Sequence, residues 1–409
     1  MVAPFAKLKN AGLRRLLTLI GAPTTGTKPI LLARLQQKLE TPTLSSHGQG
    51  TGTTRILSID MGIRNLAYCV ADVKLPHPTT PTTSGSTESK IKDASPPSQD
   101  PPTMTLTAWR RVAVQTLLTP TTSSPPCTPP STSTDTTTPS HPGNPEPDPF
   151  HPRALASTAH TLLTTLLLPH APHTLLIERQ RYRSGGGAAV QDWTYRVNML
   201  EGMLWAVLGT LREERAGRTR SGKVKKKGAG EGEGEGPEVW DVSPARVVGF
   251  WVGDGKGAVG RGKGAKGKRE KVGLVGRWVG GDGVVGAVGA SRGGTGIRLE
   301  FSGEAESARK AFVGKMIKGR GSRRGSPKKK PKARKKGKNQ EDAQILGESL
   351  SVADSKAVPV ETTEDVGKLD DLADCLLQAA AWVQWEANRR RITEMDEEAL
   401  LRLVEEHAG

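Results

Sequence analysis

Two apolar runs in this 409-residue chain each end on a carboxylate. "RILSID" places Asp60 after Ile56, Leu57 and Ile59, and "TLLIE" places Glu178 after Leu175, Leu176 and Ile177. A carboxylate near the end of a buried strand is costly unless it is paired or binds a metal. Two such strands are hard to explain by packing alone. A third acidic group lies in "KLDDLADCLLQAAAWVQW", where Asp370, Asp371 and Asp374 stand at i, i+1 and i+4. At about 100° per residue, Leu369, Leu372, Ala373, Leu376, Ala380 and Val383 form one apolar arc with the aspartates beside it. Like charges on one helix face repel, so this reading requires a compensating cation. A solvated acidic first turn, favoured by the helix dipole, is the plainer alternative. Taken with Asp60 and Glu178, the cluster makes a hard-oxygen site suited to Mg²⁺ or Mn²⁺. In a basic protein the matching chemistry is two-metal phosphodiester hydrolysis: one ion activates a water and the other stabilises the leaving oxygen.

The elements that must carry these residues can be read from period and punctuation. Strands are expected at 55–60, 65–73 and 104–114, a helix at 154–168, a strand at 174–178, a helix at 190–211, a strand at 239–242 and a final helix at 369–391. The order β-β-β-α-β-α-β-α is that of a ribonuclease H-like α/β fold, a mixed sheet flanked by helices. This domain, 55–391, is interrupted by low-complexity insertions at about 76–103, 115–152, 212–237, 253–296 and 318–365, which are expected to be disordered. Val190, Trp193, Val197, Leu200, Leu204, Val207 and Leu211 alternate three and four apart, which suits either a core helix or a dimer interface.

Composition agrees with one moderate core. Only 35% of residues are hydrophobic, while Gly and Pro number 48 and 29, so much of the length cannot offset its ordering entropy. The net charge of +17 favours a polyanionic partner such as nucleic acid. No apolar run reaches transmembrane length, so a membrane is not the expected partner. Cys69, Cys127 and Cys375 have no zinc spacing, and His170 and His173 in "LLPHAPH" read as a turn before a strand.

Residues 1–44 have leucines at helical spacing around the turn "GAPTTGTK", followed by a linker at 45–54. Gly21, Pro23, Gly26 and Lys28 resemble the turn of the SAP motif, a small helical DNA-binding module. The same segment has no acidic residue before Glu40 and so also reads as a mitochondrial transit peptide. The basic block 322–338 keeps a nuclear location open as the alternative. A helical tail is expected at 392–409.

"SIDMGIRNLAY", "IERQRYRSG" with the following W-x-x-R-V-x-x-L-E, and "KLDDLADCLLQ" together resemble the fungal mitochondrial Holliday junction resolvases, relatives of bacterial RuvC. The resemblance implies a homodimer that makes paired nicks in four-way junction DNA. Asp60, Glu178 and Asp374 would bind metal, with either Asp371 or Asp370 as the fourth ligand. Arg64, Asn65, Arg179, Gln180, Arg181, Arg183 and Lys28 would contact DNA. Two other readings compete. The Asp-x-Gly turn at Asp60 also resembles the first phosphate loop of actin-like and sugar-kinase-like phosphotransferases. A non-catalytic, SAP-containing nucleic-acid scaffold is the other.

Overall fold

The computed structural model describes residues 3–44, 52–76, 100–114, 148–180, 192–220, 236–252, 263–281, 284–285, 296–321 and 368–405. Strands β1 (Thr53–Met61), β2 (Asn65–Lys74) and β3 (Thr103–Ala113) form an antiparallel meander. β4 (Thr174–Glu178) runs parallel to β1, and β5 (Glu238–Val242) runs parallel to β4. With β6 (Val284–Val285) and β7 (Ile297–Phe301) the sheet has seven strands in the order β5-β4-β1-β2-β3-β7-β6. Its first five positions are the ribonuclease H-like arrangement expected from the element order. The β7–β6 edge is an extension that the strand pattern did not reveal.

The period-2 alternation of β1 assigns its side chains to two cores. Leu57, Ile59 and Met61 face one side, where Leu162, Leu163, Leu200 and Leu204 cover them. The covering helices are α4 (Pro152–Thr161), which continues as a π-turn to Leu167, and α5 (Asp192–Arg220). Ile56 faces the opposite side, against Leu376, Ala379 and Ala380 of α9 (Leu369–Glu394). Asp60 shares the parity of Ile56, and Glu178 shares that of Leu176, which also belongs to the α9 core. Both acids therefore project toward α9.

Helices were under-counted where glycine was taken for disorder. Residues 263–280, inside the expected 253–296 insertion, form α7 (Lys263–Gly280), whose Leu274, Val275, Trp278 and Val279 are buried. α6 (Pro244–Val252) lies outside the expected insertions and α8 (Glu304–Gly321) almost wholly so, yet neither was expected as a helix; α5 extends to Arg220, into the expected 212–237 insertion. Most of the other expected insertion residues lie outside the described ones.

The N-terminal hairpin forms as α2 (Asn10–Leu19) and α3 (Lys28–Glu40), after the short α1 (Ala3–Ala6). Rather than standing apart, it joins the core on the C-terminal half of α9. Gly21 has φ +65°, and a Cβ there would overlap the Trp385 ring at 2.1 Å, so only glycine permits this approach. Asn388 Nδ2 donates to the Leu19 carbonyl, and Trp382 Nε1 donates to the Thr43 carbonyl. Glu386 is fully buried; Arg389 Nη2 reaches it at 2.7 Å, Arg390 Nε at 3.1 Å, and the Thr43 N–H and hydroxyl both donate to it. Burial opposes its charge, but these donors hold its carboxyl below the usual carboxylate range. The tail helix α10 (Glu397–Glu405) packs on α2, with Lys7 paired to Glu397 at 2.6 Å.

Removing one member of a buried ion-pair group leaves the others unpaired. Glu386→Leu is expected to lower unfolding free energy by about 3–5 kcal/mol in denaturant titrations, with the Trp382 and Trp385 emission reporting loss of the hairpin.

Candidate active site

Asp60 and Glu178 meet at the C-terminal ends of adjacent parallel strands, whose register last pairs Ile59 with Ile177. Just below them, the buried Gln378 of α9 donates Nε2 to the Ile59 carbonyl (3.4 Å) and the Leu176 carbonyl (3.3 Å), one on each strand. Ser58 Oγ donates to the Cys375 carbonyl, and Trp109 Nε1 to the Leu372 carbonyl. These buried bonds set the height and rotation of α9, bringing Asp371 and Asp374 to the same end of the strands. On the other side of Asp60 the chain turns at once. Gly62 N–H donates to the Asn65 carbonyl at 2.9 Å, and a Cβ at Gly62 would lie 2.7 Å from that oxygen.

Burial, a hydrogen bond to Glu178, and the charges of Glu178, Asp374 and Asp371 push Asp60 well above the ordinary carboxylate range. Two carboxyls in hydrogen-bond contact require a proton between them. Asp374 is pushed up to about 6, chiefly by burial, although Lys271 opposes this. Lys271 Nζ lies within 2.6 Å of an Asp374 oxygen. One helical turn away, Lys268 Nζ reaches Asp370 at 2.6 Å. Lys268 and Lys271 of α7 thus face Asp370 and Asp374 of α9 across neighbouring helices. Arg111 of β3 holds Asp371 at 2.8 Å.

The acidic cluster is accordingly a built site with its own cations, not a solvated first turn. Asp371 and Asp374 bear on Asp60, whereas Asp370 is turned toward Lys268 on the flank. Burial opposes the Asp370 charge, but Lys268 holds its carboxyl below the ordinary range. Sequence reasoning asked for a compensating cation without finding it, because Lys271 and Lys268 lie in the glycine-rich stretch set aside as an insertion. The apolar spacing of Leu274, Val275, Trp278 and Val279 was the signal available.

The basic residues divide. Arg64 is exposed and lies over the exposed Trp193 ring, 5.8 Å from its centroid. Arg179 is two-thirds exposed, 3.8 Å from Asp241. Asn65 is half-buried at the start of β2. Gln180 turns inward instead of toward solvent, its Nε2 donating to the Met61 carbonyl at 3.3 Å. Arg181 and Arg183 lie outside the described residues. Lys28 opens α3 in the hairpin. That hairpin bonds to Asn388, fourteen residues beyond Asp374 and so about 20 Å along the helix axis. His173 Nδ1 accepts the Arg55 N–H at 2.8 Å, in the turn expected before β4.

Residues 56–392 match the family described as "Mitochondrial resolvase Ydc2 / RNA splicing MRS1". The chain belongs to this family. It is 28% identical over 202 residues to "Cruciform cutting endonuclease 1, mitochondrial" of Schizosaccharomyces pombe, covering 49% of this chain and 56% of that protein. The chain thus spans about half the length of this curated relative. A yeast mitochondrial Holliday junction resolvase structure, Ydc2, aligns at 20% identity and TM-score 0.45, covering 94% of this chain and 95% of that one. RuvC of Thermus thermophilus aligns at 14% identity and TM-score 0.24, covering 64% and 97%.

The donor chemistry fits the divalent cation that the acidic set implies. Asp60 and Glu178 lie in hydrogen-bond contact, with the Asp60 carboxyl pushed well above its ordinary range, and the charges of Asp371 and Asp374 bear on Asp60 as well. Among the described residues no three His, Cys, Asp or Glu side chains already converge tightly enough to hold one ion. Arg111 and Lys271 engage the helix acids in that arrangement.

The raised Asp374 carboxyl has a consequence for stability. Between its ordinary value near 3.8 and about 6, the folded protein holds this proton more tightly than the unfolded chain. Stability therefore falls as pH rises through that window, by up to about 3 kcal/mol from this group. Asp60 contributes with the same sign. Denaturant unfolding of the metal-free protein at pH 4.5 and at pH 7, corrected with an Asp374→Asn variant, measures it.

Proposed function

We propose that this chain is a structure-specific endonuclease that resolves four-way DNA junctions by paired, metal-dependent phosphodiester hydrolysis. It acts as a homodimer in mitochondrial DNA recombination and maintenance, with Mg²⁺ or Mn²⁺ as its ions. The observation that carries this reading is the meeting of Asp60, Glu178, Asp371 and Asp374 at one end of the sheet in a strongly basic protein. Membership of the resolvase family, and the mitochondrial name of its Schizosaccharomyces pombe relative, supply the substrate class and the compartment.

Asp60, Glu178, Asp374 and Asp371 would hold the ions, with Asp371 preferred to Asp370 because its charge bears on Asp60. Bound divalent ions supply an activated water and stabilise the leaving oxygen. In the chain itself, the Asp60 carboxyl, pushed up by burial and by Glu178, would release its proton to ligate an ion. Asp371 and Asp374, paired here with Arg111 and Lys271, would offer their oxygens to it. Lys271, beside Asp374, would supply positive charge to a phosphate bound at the acids. Arg64 and Arg179, exposed beside the strand ends, bind flanking phosphates; Arg181 and Arg183, outside the described residues, are proposed as further phosphate contacts by their place in the sequence motif. Lys28 contributes a distant phosphate contact through the hairpin.

The family description also names RNA splicing, which supports a second reading as a nucleic-acid-binding protein that does not cut. The retained acids favour the enzyme. The family assignment leaves the phosphotransferase reading without support.

Nicking of a synthetic four-way junction, with linear duplex as control, separates these readings. Junction-selective, Mg²⁺-dependent cutting is expected, and Asp60→Asn should reduce it at least 100-fold (on the order of the loss when a metal-site group is removed) while junction affinity stays within about threefold. Equal cleavage of duplex would defeat the resolvase assignment, and binding without cleavage would favour the splicing-type reading. Arg64→Ala and Arg179→Ala should each weaken junction binding and lower the slope of log affinity against log salt by about 1.

A further inference from the structure

The β1–β4 ladder last pairs Ile59 with Ile177, yet the two acids follow that pair. Something beyond the ladder must hold the strand ends at the separation where Asp60 and Glu178 touch. Gln378 bridges the strands from the α9 side, below the acids. Above them, Gln180 reaches from the end of β4 back to the end of β1, Nε2 donating to the carbonyl of Met61, the residue after Asp60. Its own backbone N–H donates to Glu201 Oε2 at 3.0 Å. The Trp205 side chain, one turn further along α5, is hydrogen-bonded to the same carboxylate. α5 is in turn fixed by Leu200, Leu204 and Leu208, buried in the core that contains Ile59 and Ile177. Glu201 closes the W-x-x-R-V-x-x-L-E pattern, which the cutting mechanism otherwise leaves unused.

We propose that Gln180 and Glu201 are positioning residues that set the separation of the Asp60 and Glu178 strand ends, and that Gln180 does not contact DNA. Glu201 anchors the Gln180 backbone to a rigid helix, and the Gln180 amide then ties β4 to β1. The proposal rests on reading Asp60 and Glu178 as the metal-binding pair. Partners that orient ligands in this way typically change metal affinity by 10–100-fold when removed.

The test uses the full chain and three variants. Gln180→Leu removes the Nε2 donor, Glu201→Ala removes the anchor, and Glu201→Gln keeps an acceptor oxygen for the Gln180 N–H. Mn²⁺ binding is measured by calorimetry without DNA, four-way junction binding without divalent ions, and folding by thermal unfolding. Gln180→Leu and Glu201→Ala are expected to weaken Mn²⁺ binding about tenfold with junction affinity unchanged, and Glu201→Gln should retain Mn²⁺ binding. If Glu201→Ala does not fold, Gln180→Leu, which deletes one peripheral hydrogen bond, decides alone. A tenfold loss of junction affinity in Gln180→Leu with normal Mn²⁺ binding would make Gln180 a DNA contact and overturn the proposal. So would wild-type Mn²⁺ binding in both disruptive variants. Asp60→Asn is titrated alongside: loss of Mn²⁺ binding there, but not in the clamp variants, sinks only the clamp. Normal Mn²⁺ binding in Asp60→Asn sinks the metal-pair reading and the clamp with it.

Discussion

The seating of α9 against β1, β2, β3 and β4 is the constraint on which the rest of the structure depends. An all-apolar helix face could slide or rotate by a residue at little cost, because apolar contact is non-directional. Here four buried donors remove that freedom. Trp109 grips the Leu372 carbonyl, Ser58 and Cys69 reach the Cys375 carbonyl, and Gln378 spans Ile59 and Leu176. Each would leave an unsatisfied polar group behind if the helix moved, at a cost of about 1–3 kcal/mol. The polar pins lie at the N-terminal half of α9, where its acids must meet those of the strands.

That convergence is electrostatically unfavourable, and the fold carries its own compensation. Burial and the neighbouring Glu178 push the Asp60 carboxyl well above its ordinary range, Asp371 has Arg111, and Asp374 and Asp370 have Lys271 and Lys268. Each acid of the cluster thus has a partner within the chain. Strain of this kind is expected where function requires carboxylates closer together than stability would choose.

The C-terminal half of α9 has a structural task. The N-terminal hairpin covers Trp382, Trp385 and the buried Glu386, while α10 closes over α2. One helix therefore couples the chain's first forty residues to the acids about 20 Å away along its axis. The SAP-like turn and the helix–helix contact use the same residues: Gly21 serves the approach to Trp385 as well as the turn itself.

Much of the core was legible because periodicity is a local property. The apolar runs in "RILSID" and "TLLIE" identified the strands and the carboxylates that end them, and strand parity in the fold directs Asp60 and Glu178 to one face. The arc of Leu372, Leu376 and Ala380 identified the helix that meets them. Local pattern also misled: glycines in α7 hid a helix whose stability comes from burying Leu274, Val275 and Trp278, not from propensity. What only the tertiary structure decided were the long-range pairings. Lys271 stands 103 positions from Asp374, and Gln180 stands 119 from Met61. No period links such residues, so the sequence by itself identified the acids, and the packing of α5, α7 and α9 decided what holds them.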